Sequence, residues 1–165
     1  LKGKVIRLMA KMVNPNSVND MEIINAKAQA KMSQLVQKIG KGKRRVTVTF
    51  NKTTRSYVAK LIEEMKKQMI AYEKQLPNLF NFFNYLEKET KVTKANKKEK
   101  TKDVLLSYEE VDFLKLQLKE TIKGIEMQSK NLKWYNFLKK SMYKMLKKQT
   151  EETLENVNSG NVKKK

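Results

Sequence analysis

The sequence predicts an all-α fold: a helix-bundle-like N-terminal module followed by a long C-terminal helix, either kinked or folded into a hairpin. Two observations carry this. Apolar residues recur three and four positions apart along most of the chain, the spacing that lines up one face of an α-helix. Alternation with a period of two occurs over a single short stretch, so at most one extended segment is expected, near 46–50. The composition agrees: of 165 residues, 39% are hydrophobic and 33% charged, a balance suited to helices with one buried face and a broad wet one.

The elements follow in order. Val5, Leu8, Met9, Met12 and Val13 alternate with Lys4, Arg7 and Lys11 at helical spacing, which predicts a short basic helix over 2–13 closed by Asn14-Pro15-Asn16-Ser17. Asp20 is a suitable N-cap for a second helix, whose stripe Ile24, Ala28, Met32, Leu35, Val36 and Ile39 stops at Gly40. Val46-Thr47-Val48-Thr49-Phe50 alternates β-branched and apolar residues and is the extended segment. A lone strand has no partner within its own chain, so it is read as an extended linker or as an edge that pairs with another molecule.

Val58, Leu61, Ile62, Met65, Met69 and Tyr72 mark a helix over about 53–75, interrupted by Pro77. Proline is favourable in the first turn of the next helix, which carries Leu79, Phe80, Phe82, Phe83, Tyr85 and Leu86. So many rings must leave water, either in a core or at an interface. Residues 87–103 contain almost nothing apolar and read as a Lys-rich linker or exposed loop, because too little burial is available to offset the entropy of ordering them.

Ser107-Tyr108-Glu109-Glu110 has the form of a capping box, with Ser107 as N-cap and Glu110 reaching back. From there Val111, Leu114, Leu118, Ile122, Ile125, Leu132, Tyr135, Leu138, Met142 and Met145 keep helical spacing to about Asn156. Gly124 and the polar run Gln128 to Asn131 are its weak points. The domain plan is thus a basic helical module at 1–86, a linker at 87–103, a helix or helical hairpin at 104–157, and a frayed basic tail at 158–165.

Charge directs the functional reading. With 37 Lys and Arg against 17 Asp and Glu, the formal net charge is +20, a field that attracts nucleic acid, acidic proteins or anionic membrane. The excess is uneven: residues 1–50 hold eleven basic residues against Asp20 and Glu22, a net of +9, whereas 104–156 is nearly balanced. Lys38, Lys41, Lys43, Arg44 and Arg45, punctuated by Gly40 and Gly42, are the candidate nucleic-acid-binding residues, since clustered cations neutralise phosphates and release counterions without reading sequence. The competing explanation is a solvated helix C-terminus, where cations meet the negative end of the dipole.

Phe80, Phe83, Tyr85, Leu118, Ile122, Ile125, Trp134, Tyr135, Leu138 and Met142 are the candidate partner-interface residues. Rings interleaved with lysine, as in Lys133 to Lys148, suit stacking on bases, a membrane surface or a partner groove, although aromatics at helical spacing also build cores. The stripe needs cover, which self-association or packing in a larger assembly supplies.

Catalysis has little to work with. There is no Cys and no His, which removes thiolate sites and the commonest general base and metal ligand. Glu109, Glu110 and Asp112, and Glu151, Glu152 and Glu155, sit at helix ends; Glu109 and Glu110 are explained by the dipole at a helix start. No catalytic residue, metal site or cofactor is expected. The expectation is a non-enzymatic protein associating with nucleic acid through phosphates within a ribonucleoprotein, packaging or virion-type assembly. The alternative is a structural adaptor whose charge serves solubility. With no secretory-type apolar stretch near Leu1, an intracellular location or the inside of a virus particle is expected.

Overall fold

The computed structural model describes residues 19–132 and 137–162. In chain order the elements are α1 (Asn19–Lys38), β1 (Val46–Asn51), α2 (Lys52–Met69) with a 3-10 turn at Ile70–Tyr72, and α3 (Pro77–Thr90). Then follow β2 (Thr101–Leu106), α4 (Tyr108–Lys130), α5 (Phe137–Asn158) and β3 (Asn161–Val162). The predicted helix over 2–13 lies outside the described residues, as do residues 163–165 of the predicted tail at 158–165, whose Asn161 and Val162 form β3. Among the described residues no helix is long and apolar enough to cross a membrane.

The protein is mostly helical, and among the described residues three strands form one small antiparallel sheet in the order β2-β1-β3. The extended segment is therefore neither a linker nor a free edge. Val46 to Asn51 pair residue for residue with Leu106 to Thr101, and Val46 and Thr47 pair again with Val162 and Asn161 on the other side. This corrects the expectation of a lone strand. It also corrects the linker: Glu87 to Thr90 complete α3, and Thr101 to Asp103 begin β2. Backbone pairing, which needs no apolar side chain, orders this polar strand half.

Alternation places Val46, Val48 and Phe50 on one face of β1, where they are buried with Val104 and Leu106 of β2. The helices pack on that face. Val58, Ile62, Met65 and Met69 of α2, Leu79, Phe82, Phe83 and Leu86 of α3, and Phe113, Leu114 and Leu118 of α4 complete the core. Phe80, Phe82, Phe83 and Phe113 form a chain of tilted and edge-on ring contacts with centroids 5.7–6.0 Å apart, within the favourable range for aromatic pairs.

Local chemistry sets the boundaries. The Asn51 side chain accepts from the Thr54 N–H at 2.9 Å and caps α2. Pro77 stands in the first turn of α3. Gly40, with φ +91°, turns the chain after α1 and packs so closely on Asn78 that a Cβ would crowd that side chain. The capping box at the start of α4 is complete: Ser107 Oγ accepts from the Glu110 N–H, and Glu110 Oε1 accepts from the Ser107 N–H. The chain then breaks at Asn131 and Leu132, and α5 returns antiparallel along α4, with Lys147 paired to Glu126 at 2.9 Å. Farther along, Val157 is buried in the core and Gly160 lies against Val46 and Val48.

Candidate nucleic-acid interface

The five cations proposed from sequence lie between the end of α1 and the start of β1, all solvent-exposed as residues. They do not act alike. Arg44 donates to both carboxylate oxygens of Glu110, Nε to Oε1 and Nη2 to Oε2, each at 3.1 Å, and its guanidinium lies 3.6 Å from the Tyr85 ring centroid. Glu110 is nearly buried at 3% exposure, so this is a charge-assisted, two-pronged clamp on the capping box rather than a surface pair. Arg44 is thereby occupied by the fold.

Tyr85 completes the clamp from α3, its hydroxyl donating to the Leu105 carbonyl at 2.8 Å. Burial pushes that hydroxyl above the ordinary phenol value, with the Arg44 charge opposing. Next in the chain, the Arg45 N–H donates to the Leu106 carbonyl at 3.1 Å. Gly42 lets the segment pass against the Glu109 carboxylate. The connection from Lys38 to Val46 is thus fixed by α1, by the Arg44 clamp and by β2. Lys38, Lys41, Lys43 and Arg45 remain, with no ion-pair partner among the described residues.

The proposed partner-interface residues divide. Phe80, Phe83, Leu118 and Ile125 are between 0 and 7% exposed and belong to the interior, which corrects their assignment to an interface. Phe80, Phe83 and Leu118 belong to the common core of α3 and α4, and Ile125 lies farther along α4 at the cleft with α5, so these four side chains are covered within the chain. Tyr85 and Ile122 are half-buried. Met142 stays open at 64% exposure, beside Met145 at 59% and Leu146 at 38%. Trp134 and Tyr135, and the side chain of Leu138, lie outside the described residues.

Sequence reasoning missed Arg55. It stands near the start of α2 with its side chain 1% exposed, facing the Glu99 carboxylate at 3.5 Å and donating weakly to the Asn96 carbonyl at 3.4 Å. Among the described residues its Nε and Nη1 have no hydrogen-bond partner. A polar neighbourhood in the sequence, Thr53-Thr54-Arg55-Ser56, hides this burial.

A cleft of about 500 Å³ between α4 and α5 is lined by Ile125, Glu126, Lys130, Lys140, Lys144 and Lys147, among others. Here Lys147 is held by Glu126, whose hydrogen bond raises the Lys147 pKa above its ordinary value. Among the described residues no three carboxylate, imidazole or thiol side chains gather as metal ligands do. No family model, curated protein or solved structure matches the chain.

Proposed function

We propose that this protein is a non-enzymatic, phosphate-contacting nucleic-acid-binding protein that works inside a larger assembly, within a cell or a virus particle. The observation that carries the reading is the fixed connection from Lys38 to Arg45. It holds Lys38, Lys41, Lys43 and Arg45 in solvent while Arg44 is spent on Glu110. Ordering the backbone in advance lowers the entropy cost of binding, so four cations on a fixed segment bind phosphates better than four on a mobile tail. Three of the four are Lys, a point charge without the planar fork that reads guanine, so contacts are to backbone and not to base edges.

Fluorescence anisotropy with labelled single-stranded RNA and duplex DNA across a salt series tests it. Tight binding at low salt is expected, weakening linearly in log–log form. The K38Q/K41Q/K43Q/R45Q variant should lower the slope by roughly 3 to 4, the value for four lost phosphate contacts. A wild-type protein that ignores both polymers at low salt would end the proposal.

A second reading, assembly through helix contacts, is favoured by one observation: Met142, Met145 and Leu146 form an exposed apolar stripe on α5. If that stripe joins protein subunits, light scattering on the eluting protein reports an oligomer, and M142K/M145K converts it to a monomer that keeps the helical circular dichroism and loses the concentration dependence of the unfolding midpoint. A wild-type monomer at all concentrations removes this reading.

A further inference from the structure

The stretch 91–100 reads in sequence as a flexible linker, and its structure is a closed, anchored turn. The Asn96 side chain accepts from the Thr93 N–H at 2.7 Å and donates to the Lys91 carbonyl at 3.0 Å, and the Glu99 N–H returns to the Asn96 carbonyl at 3.1 Å. Beneath it, the buried Arg55 meets that same carbonyl and the Glu99 carboxylate. Lys94, Lys97, Lys98 and Lys100 are exposed and without an ion-pair partner among the described residues, while Lys91, also exposed, lines a cleft shared with Glu63 and Glu87. The only acidic residue of the stretch, Glu99, is turned to Arg55.

This repeats the plan of the Lys38 to Arg45 connection. In each, one arginine is committed to a carboxylate and holds the backbone, and the surrounding cations are left to solvent. Burying a guanidinium whose Nη1 faces one carboxylate at 3.5 Å without a hydrogen bond, and whose Nε has no partner among the described residues, is unfavourable for folding, since desolvating a charge costs several kcal/mol unless it is fully paired. Stability therefore does not account for Arg55. A cationic turn that must keep its shape does.

We propose that the turn 91–100 is a second phosphodiester-binding site, working together with the first on one nucleic acid; this rests on the reading above. The sheet register sets their separation. The first connection enters β1 at Val46, whereas the second enters β2 at Thr101, which pairs with Asn51 at the far end of β1. Val46 and Asn51 are five strand steps apart at about 3.4 Å each, which puts the two sites at opposite ends of the sheet, about 17 Å apart along it. At about 3.4 Å per base pair that distance matches about five base pairs of duplex.

The test is the salt dependence of anisotropy for the full chain with a 20-base-pair duplex, comparing three charge-matched variants. K94Q/K97Q/K98Q/K100Q should lower the log–log slope by roughly 3 to 4, as K38Q/K41Q/K43Q/R45Q does. K60Q/K74Q/K119Q/K148Q removes the same charge from exposed positions on other elements and should lower it by less than about 1. The half-variants K94Q/K97Q and K98Q/K100Q should each give about half the effect, which guards against a misfolded quadruple variant. A turn variant that keeps the wild-type slope while the first-site variant loses it overturns this inference and leaves the first reading standing. Equal losses from all three quadruple variants also overturn it, because position would then be irrelevant. Absence of wild-type binding at low salt ends both.

Discussion

Replacing Phe83 with alanine is expected to cost about 3–5 kcal/mol, the range for emptying a buried aromatic site. The ring is fully buried and touches Phe80, Phe82 and Phe113, so the vacated space is walled by other rings and by α4, which cannot collapse into it without moving the helix. Against a total stability of about 5–15 kcal/mol, such a loss removes about a fifth or more of what holds the fold. Urea unfolding followed by circular dichroism measures it, with a midpoint falling by roughly 2 M at a slope of about 2 kcal/mol per M. Met142→Ala is the comparison, expected within about 0.5 kcal/mol of wild type because its side chain stands in water. A Phe83→Ala loss below about 1 kcal/mol would contradict the packing described.

The second large effect belongs to Glu110. One carboxylate closes the capping box on Ser107 and receives both prongs of Arg44, so Glu110→Ala removes an N-cap partner and two charge-assisted hydrogen bonds together. A cap is worth about 1 kcal/mol and a charged hydrogen bond about 1.5–3 kcal/mol; discounting for the 38% exposure of Arg44 leaves an expected loss of about 2–4 kcal/mol. Glu110→Gln keeps the shape and one acceptor and should lose about half as much. The double variant R44A/E110A should lose less than the sum of the singles by about 1–2 kcal/mol, since the second change removes a group already without its partner. Additive losses would show that the clamp is not a coupled unit. On the binding side, Arg44→Ala should leave the salt slope within about 0.3 of wild type, because both prongs of Arg44 are on Glu110, whereas a lost phosphate contact would lower it by about 0.9.

Much of the fold could be read from local signals that act within one or two turns. Gly40 ends a helix because its backbone takes a positive φ. Pro77 opens one because its missing N–H costs nothing there. Ser107 and Glu110 form their box because four consecutive residues suffice. Strand β2 was not legible for the opposite reason. Thr101-Lys102-Asp103 is polar, and what makes it a strand is Asn51 to Thr49 across the sheet, about fifty residues away. The same distance hid the candidate site. Clustering identified the cations between Lys38 and Arg45, but that Arg44 is occupied depends on Glu110 and Tyr85, and that 91–100 is ordered depends on Arg55. The aromatic run at 79–86 had two homes in sequence, interior or interface, and only the arrival of Phe113 from α4 selects the interior.

The central position of β1 also governs the order in which the chain can be completed. Its first neighbour, β2, is about fifty residues downstream, and its second, Val162, emerges only after α4 and α5 have both been made. Until then one edge of β1, Val-Thr-Val-Thr-Phe, is a β-prone apolar ribbon with open hydrogen-bonding groups, the kind of surface on which nascent chains stick to one another. Lys41, Lys43, Arg44 and Arg45 lead directly into it. Like charges beside an unfinished edge repel a second copy, so this run of cations disfavours edge-to-edge pairing of incomplete chains.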